Sequence, residues 1–304
     1  MTSHLMTRGT ALRVLAAAAL LPAAGCGGGP TSTVKVGSKN FTEELLLGEI
    51  YALALERAGY KVERRLNLGS TQIAMEAMQR GEIDLYPEYT GTALVVQLKL
   101  APMSDPRKVF EAVKTAYERS YQMTWLAPAP MNDTQALATT QAVSSKFGLR
   151  TLSQCAQLAP RLRLGAGHEF IERPDGLPGL QRAYGGFHFA SVKITALGLK
   201  YKALLAGDVD VALAFSTDGE IDADKLVVLD DDRHFFPPYQ VAPVVRLDAL
   251  KRFPKIPSAL DPLRPFISNT AMRRLNWRVD GNHEEPADVA RDFVEHALPR
   301  AVST

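Results

Sequence analysis

Gly81-Glu82-Ile83-Asp84-Leu85-Tyr86-Pro87-Glu88-Tyr89-Thr90-Gly91-Thr92 is the stretch around which the rest of the chain is organised. Gly81 ends the apolar helical pattern of Ile73, Ala77 and Met78. Ile83 and Leu85 alternate with polar neighbours, as a short strand does. Pro87 cannot donate to a sheet ladder, so the strand is expected to end near it. Two tyrosines and two threonines then flank Gly91, where backbone and side chains can approach a small ligand. A plain strand-to-helix connection with surface tyrosines fits the same residues.

Outward from this stretch, strand and helix signals alternate. Val34-Lys35-Val36-Gly37 is a strand candidate, and Asn40 with Glu43 has capping-box spacing. The helix behind it carries Leu46, Ile50, Leu53 and Ala54 on one face and stops at Gly59. Lys61 to Leu66 is a second strand, and Asn67-Leu68-Gly69-Ser70-Thr71 turns into the helix that ends at Gly81. Asp105-Pro106 opens another helix, packed through Val109, Val113, Ala116 and Tyr117. Ala127-Pro128-Ala129-Pro130 reads as a crossing between lobes. The alternation predicts an α/β lobe.

A second α/β region, ending near Tyr239, echoes the first. Leu162-Arg163-Leu164-Gly165 resembles Val34 to Gly37, with Phe170 trailing as Phe41 does. Gly207-Asp208-Val209-Asp210-Val211 resembles Gly81 to Leu85 at nearly the same offset. Two lobes of like design, joined by crossings, make a cleft of the kind that holds small molecules. Pro237-Pro238-Tyr239 is a second crossing, and Val241 to Val245 a return strand to the first lobe. Asn269-Thr270 caps a helix with Met272 and Leu275. Pro286 opens a last helix with Val289, Phe293 and Ala297 on its packed face.

With 304 residues, 46% apolar and 22% charged, the chain has material for two lobes of roughly 100–150 residues. A net charge of +2 without a basic run gives no reason to expect nucleic acid. Arg8 and Arg13 precede the apolar run Val14 to Leu21, and Ala23-Ala24-Gly25-Cys26 follows. The run is shorter than the ~20 residues of a membrane helix and fits a secretory signal peptide. A cysteine after small residues looks like a bacterial lipobox, with Cys26 as the lipidation point; Ala23 stands where leucine is commoner. Residues 1–26 are therefore read as a signal segment and 27–33 as a flexible tether. Lobe one is expected to span 34–130 and 240–304, and lobe two 131–239. The protein is placed outside the cytoplasm, held to a membrane by its anchor.

Catalytic constellations are scarce. There is no His-x-x-x-His or Cys-x-x-Cys pair to hold zinc, no Walker loop and no Gly-x-Gly-x-x-Gly. Cys155 reads as a small core residue and His168-Glu169 as a loop pair. Binding chemistry is better supplied. Tyr86, Tyr89, Phe215 and Tyr239 fall at strand ends or crossings, as do Lys39, Thr92 and Arg173. Aromatic faces attract a cation without hydrogen bonds, and Arg or Lys holds a carboxylate. The set suits a small zwitterion with a quaternary ammonium. Packing of the same rings in hinge cores, with the cations on solvated faces, stays open.

The motifs Gly37-Ser38-Lys39-Asn40-Phe41-Thr42-Glu43, Asn67-Leu68-Gly69 and Gly81 to Thr92 resemble the osmoprotectant-binding family. Its members are extracytoplasmic substrate-binding proteins of ABC importers for glycine betaine, choline and related compounds. Glu169-Phe170, Arg173-Pro174-Asp175-Gly176, Gly179-Leu180, Phe215-Ser216-Thr217-Asp218-Gly219 and Phe236-Pro237-Pro238-Tyr239 extend the likeness from about Val34 to Pro299. The resemblance implies a type II periplasmic-binding fold, with two α/β lobes and a hinge. It implies Lys39, Tyr89 and Thr92 facing the ligand from lobe one, Arg173 gripping a carboxylate from lobe two, and Phe215 and Tyr239 as members of an aromatic cage. Gln135, within Asn132 to Leu137, stands where that family is expected to carry a cage tyrosine. It offers an amide to a donor-bearing ligand instead, so choline, carnitine, proline betaine and ectoine stay open beside glycine betaine. The expected partners are a membrane permease and its cytoplasmic ATPase, with no cofactor, no metal and a monomeric receptor. An exported enzyme or a sensory ligand-binding module on the same scaffold is the alternative.

Overall fold

The computed structural model describes residues 33–298. The signal segment, Cys26 and all of the tether but Thr33 lie outside the described residues. Ten strands form two mixed sheets. They are β1 (Val34–Gly37), β2 (Val62–Arg65), β3 (Leu85–Tyr89), β4 (Met123–Trp125), β5 (Gln135–Thr139), β6 (Arg163–Ala166), β7 (Ser191–Ile194), β8 (Val211–Phe215), β9 (Val227–Val228) and β10 (Val241–Arg246). The first sheet runs β2-β1-β3-β10-β4 and the second β7-β6-β8-β5-β9. In each, a parallel trio is closed by an antiparallel strand, β10 against β3 and β5 against β8. Both closing strands are delivered by crossings between the sheets, and the crossings touch at an isolated bridge between Asn132 and Gln240.

The echo read in the sequence is a structural one. Gly81 and Gly207 both adopt left-handed backbone, at φ of 71° and 74°, which glycine enters without steric cost. Three residues on, Asp84 accepts from the Lys35 N–H at 2.9 Å while its own N–H donates to Lys35 O. Asp210 does the same with Arg163, at 2.9 Å through Oδ2, and its N–H donates to Arg163 O. The aspartate thus staples the start of the third strand to the start of the first in each sheet. Arg252 pairs with Asp84 and the Arg163 side chain with Asp210.

Hydrophobic periodicity set most helices as expected. The Thr42–Arg57 helix buries Leu46, Leu47, Ile50 and Leu55. The Pro286–Ala297 helix covers it, with Val289, Phe293 and Ala297 buried. Asp105 caps the Pro106–Tyr121 helix through the N–H groups of Arg107 and Lys108.

Four details depart from the sequence reading. β3 runs through Pro87 to Tyr89 instead of stopping. Thr90 N–H donates to Gln240 O, so bonded pairs fall at Glu88–Ala242 and Tyr86–Val244. Pro87 faces Pro243 between those pairs, where this ladder asks neither proline for an N–H. Ile73, expected on a buried face, is 46% exposed. The Thr42–Arg57 helix starts from Phe41 without a side-chain cap, so Asn40 and Glu43 form no capping box. Ser268, not Asn269, caps the Asn269–Asp280 helix; Asn269 instead bonds both main-chain groups of Asn132.

Asp84→Ala and Asp210→Ala should each destabilise the fold by about 1–3 kcal/mol, because each strips a main-chain N–H of its acceptor and an arginine of its partner. Urea unfolding of the two variants checks this; midpoints equal to the parent would contradict the staple.

Candidate functional site

Lys39, Tyr89, Thr92, Arg173 and Phe215 lie at or after the carboxyl ends of β1, β3, β6 and β8, the favoured edge for ligands in such sheets, while Gln135 opens β5 and Tyr239 precedes β10. After β1, Ser38 anchors its loop. Its Oγ accepts from Asn67 N–H at 3.0 Å and its carbonyl from Leu68 N–H, while Asn40 N–H donates to Gly69 O. The two quoted motifs therefore hold each other.

Lys39, set by that loop, is almost wholly buried. Its Nζ lies 2.7 Å from Glu88 Oε1 and 3.5 Å from Glu44 Oε1, and 4.6 Å from the centre of the Tyr89 ring. Burial works to lower the Lys39 pKa, but Glu44 and Glu88 outweigh it and hold the ammonium above its ordinary value. The positive charge of Arg173, in the second lobe, is felt here as well. Lys39 thus reaches the site already neutralised within its own lobe.

Tyr89 is buried, and its hydroxyl donates to Glu43 Oε1 at 2.7 Å. Asn276 Nδ2 donates to Glu43 Oε2 and to Thr217 O, both at 2.9 Å, and the Thr217 hydroxyl donates to Asp133 Oδ1 at 2.7 Å. One polar chain therefore runs from β3 through the Asn269–Asp280 helix to the loop after β8 and the first crossing. Burial raises the Glu43 and Asp133 carboxyls above the ordinary range; Asp218 adds to both, and Glu43 adds to Asp133. At Gly91, an added Cβ would stand 2.6 Å from Tyr239 Cδ1 and 2.8 Å from Pro238 O. Only glycine lets Tyr239 lie this close to β3. Thr92, next along, is buried.

Arg173 forks onto Asp175, with Nε at 2.8 Å and Nη2 at 2.6 Å. Asp175 Oδ2 also accepts from the Tyr239 hydroxyl at 2.5 Å and from Gln135 Nε2 at 3.1 Å. Gln135 Nε2 donates to the Tyr239 oxygen too, at 2.9 Å. Burial pushes the Asp175 carboxyl up, but its bonds from Arg173 and the Arg173 charge bring it below the usual range. The remaining Arg173 nitrogen, Nη1, and Gln135 Oε1 have no hydrogen-bond partner among the described residues. Phe215 stands opposite Gln135 in the β5–β8 register, so the two side chains share a face.

Lys39 and Tyr89 therefore meet in one lobe. Gln135, Arg173 and Tyr239 meet through Asp175, Tyr239 reaches Gly91 beside Thr92, and Phe215 flanks Gln135. Tyr86 does not join them: it is fully buried in the core of the first lobe, its hydroxyl on Glu88 Oε2. Sequence reasoning gave Glu43 only a capping role and assigned none to Glu44, Glu88, Asp175, Asp218 or Asn276. All but Asn276 sit in or beside the quoted motifs, and that adjacency was the available signal. Cys155 is buried, which pushes its thiol up to about 12, so the thiolate is scarce at neutral pH. His168 is exposed beside Glu172.

Residues 32–296 match the model of the substrate-binding domain of the ABC-type glycine betaine transport system. The chain belongs to that family. It is a substrate-binding component of an ABC importer. The carnitine transport binding protein OpuCC of Listeria monocytogenes is 34% identical over 274 residues, 89% of each chain. A glycine-betaine-binding protein of Pseudomonas aeruginosa is 35% identical over 278 residues, 88% of each. A crystal structure described as a glycine betaine/carnitine/choline ABC transporter superposes with a TM-score of 0.75 at 34% identity, covering 87% of this chain and 99% of that one. The type II binding-protein fold expected from the sequence is the fold of these relatives.

The receptor's acid cluster has a consequence for pH. Burial pushes the Glu44 carboxyl up to about 8, against the opposing pull of Lys39 and with Glu88 and Glu43 adding to the rise. A carboxyl raised on folding contributes stability below its unfolded pKa and loses it as pH climbs to the folded one. Ligand-free stability should therefore fall as pH rises from the ordinary carboxylate range to about 8. Glu44→Gln should flatten that fall, read by melting temperature against pH; an unchanged slope would contradict the assignment.

Proposed function

We propose that the receptor takes a small quaternary-ammonium solute of the betaine, carnitine or choline type. The observation that carries this reading is the locked Arg173 fork. Asp175 consumes one edge of the guanidinium and fixes its plane, leaving Nη1 for a carboxylate from outside. Tyr89 and Tyr239 supply ring faces for the ammonium, at roughly 0.5–2 kcal/mol each, while the Phe215 ring of the cage already carries the Lys200 ammonium at 4.5 Å. Lys39, paired with Glu88, supports the Tyr89 ring at the site, and Thr92 adds a hydroxyl. Gln135 replaces one ring by an amide whose nitrogen is spent on Asp175 and Tyr239. Its free oxygen accepts a hydrogen bond, which favours a hydroxyl-bearing ligand such as carnitine or choline over glycine betaine.

The working cycle follows from the two-sheet design. Residues 34–130 with 240–298 form one lobe and 131–239 the other. Ligand contacts drawn from both lobes are complete only when they close, so binding favours the closed form. That form docks on the permease, and the receptor does no chemistry on its ligand. Cys26 holds the monomeric protein to the outer side of a membrane by lipid. No helix among the described residues is long and apolar enough to cross one.

Calorimetric titration of the chain from Cys26 onward tests this. Glycine betaine, carnitine and choline should each bind, and saturation at a hundred times Kd should add about 2.7 kcal/mol of stability. Arg173→Ala should weaken glycine betaine and carnitine by at least about ten-fold and choline little. Equal losses for all three, or no binding of any, would contradict the proposal.

A further inference from the structure

Lys200 opens the Lys200–Leu205 helix, and its side chain is only 5% exposed. Its Nζ lies 4.5 Å from the centre of the Phe215 ring and 4.9 Å from that of Tyr201, and 2.7 Å from Asp218 Oδ2. The same Asp218 oxygen accepts from the Tyr201 hydroxyl at 2.6 Å and from Phe215 N–H at 2.7 Å. One carboxylate thus fixes the lysine, the Tyr201 ring and the backbone that carries the Phe215 ring. Phe215 in turn stands opposite Gln135, inside the proposed ligand site.

We propose that Lys200 is a built-in cation that occupies the face of Phe215 and sets the receptor's selectivity against simple quaternary ammonium ligands. The inference rests on the ligand reading above and deepens it. A ring face attracts one cation at a time, and this one is taken. An ammonium brought to the same ring meets a like charge within a few ångström, in surroundings that screen poorly. The first lobe has a parallel arrangement, with Lys39 on the Tyr89 ring and Glu88 2.7 Å from its ammonium, as Asp218 is from Lys200. The Lys200 charge pulls down the Asp133, Glu220 and Asp280 carboxyls against the lift that burial gives them. Removing the lysine therefore changes two things in the same direction: it uncovers the ring and it takes away the cation that Asp218 holds there.

The test is calorimetric titration of the chain with choline, glycine betaine and tetramethylammonium, the last needing nothing but a cation site. Lys200→Met should bind choline and tetramethylammonium about three- to thirty-fold more tightly than the parent. Lys200→Arg, which keeps the charge, should stay within about two-fold of the parent. Adding Phe215→Ala to Lys200→Met should abolish most of the gain. Melting curves of each variant confirm folding before titration. Unchanged or weaker binding by Lys200→Met would overturn the proposal. Selective loss of glycine betaine would also overturn it, by making Lys200 a carboxylate contact. If parent and variant bind none of the three probes, the proposal falls together with the ligand reading; if the parent binds and Lys200→Met gains nothing, the proposal falls alone.

Discussion

Asp175 is a carboxylate with no access to water, and the site depends on how it is satisfied. Such a charge is tolerable only when its partners are close and well aimed, and removing one partner from a buried pair costs about 3–5 kcal/mol. Its partners come from three separate stretches: Arg173 from the end of the His168–Glu172 helix, Gln135 from the start of β5, and Tyr239 from the second crossing. Satisfying one buried charge therefore sets the plane of the guanidinium, the tilt of the tyrosine and the seating of the crossings. Arg173 arrives in the site with much of its rotamer freedom already lost, which lowers the cost of holding a ligand.

The two sheets repeat one plan down to the aspartate that staples the third strand to the first. Each is completed by a strand that has crossed from the other half of the chain. Tyr239 and Gln135 lie at the junctions where those strands begin, so the ligand-facing groups sit on the connections themselves. Movement of one sheet against the other and the geometry of the site are thereby linked. Each lobe also places a lysine on an aromatic ring, Lys39 on Tyr89 and Lys200 on Phe215, each with an acid 2.7 Å from its ammonium.

Much of the fold was legible because its signals are local. Gly81, Gly207, Asp105 and the periodic apolar faces report on neighbours a few residues away. Pro87 misled because the penalty for a proline depends on which way its missing N–H would point, and that is set by a partner strand more than 150 residues on. Tyr86 and Tyr89 were weighed alike, yet an odd spacing in a strand sends them to opposite faces. Tyr86 enters the core with Glu88, and Tyr89 turns toward Lys39 and Glu43. The candidate residues of the site were legible as motifs, whereas their partners were not. Glu43 read as a helix cap because its true contacts, Tyr89 and Asn276, are 46 and 233 residues away. Nothing local distinguishes a buried acid from a solvated one.

The central claim is that Arg173, Tyr89 and Tyr239 serve one ligand. A crystal structure of the chain grown with carnitine tests it most directly. The account predicts the carboxylate against Arg173 Nη1 and the trimethylammonium group against the Tyr89 and Tyr239 rings. Carnitine seated away from these residues, for example in the hollow lined by Tyr51, Leu126, Pro257 and Arg264, would contradict it.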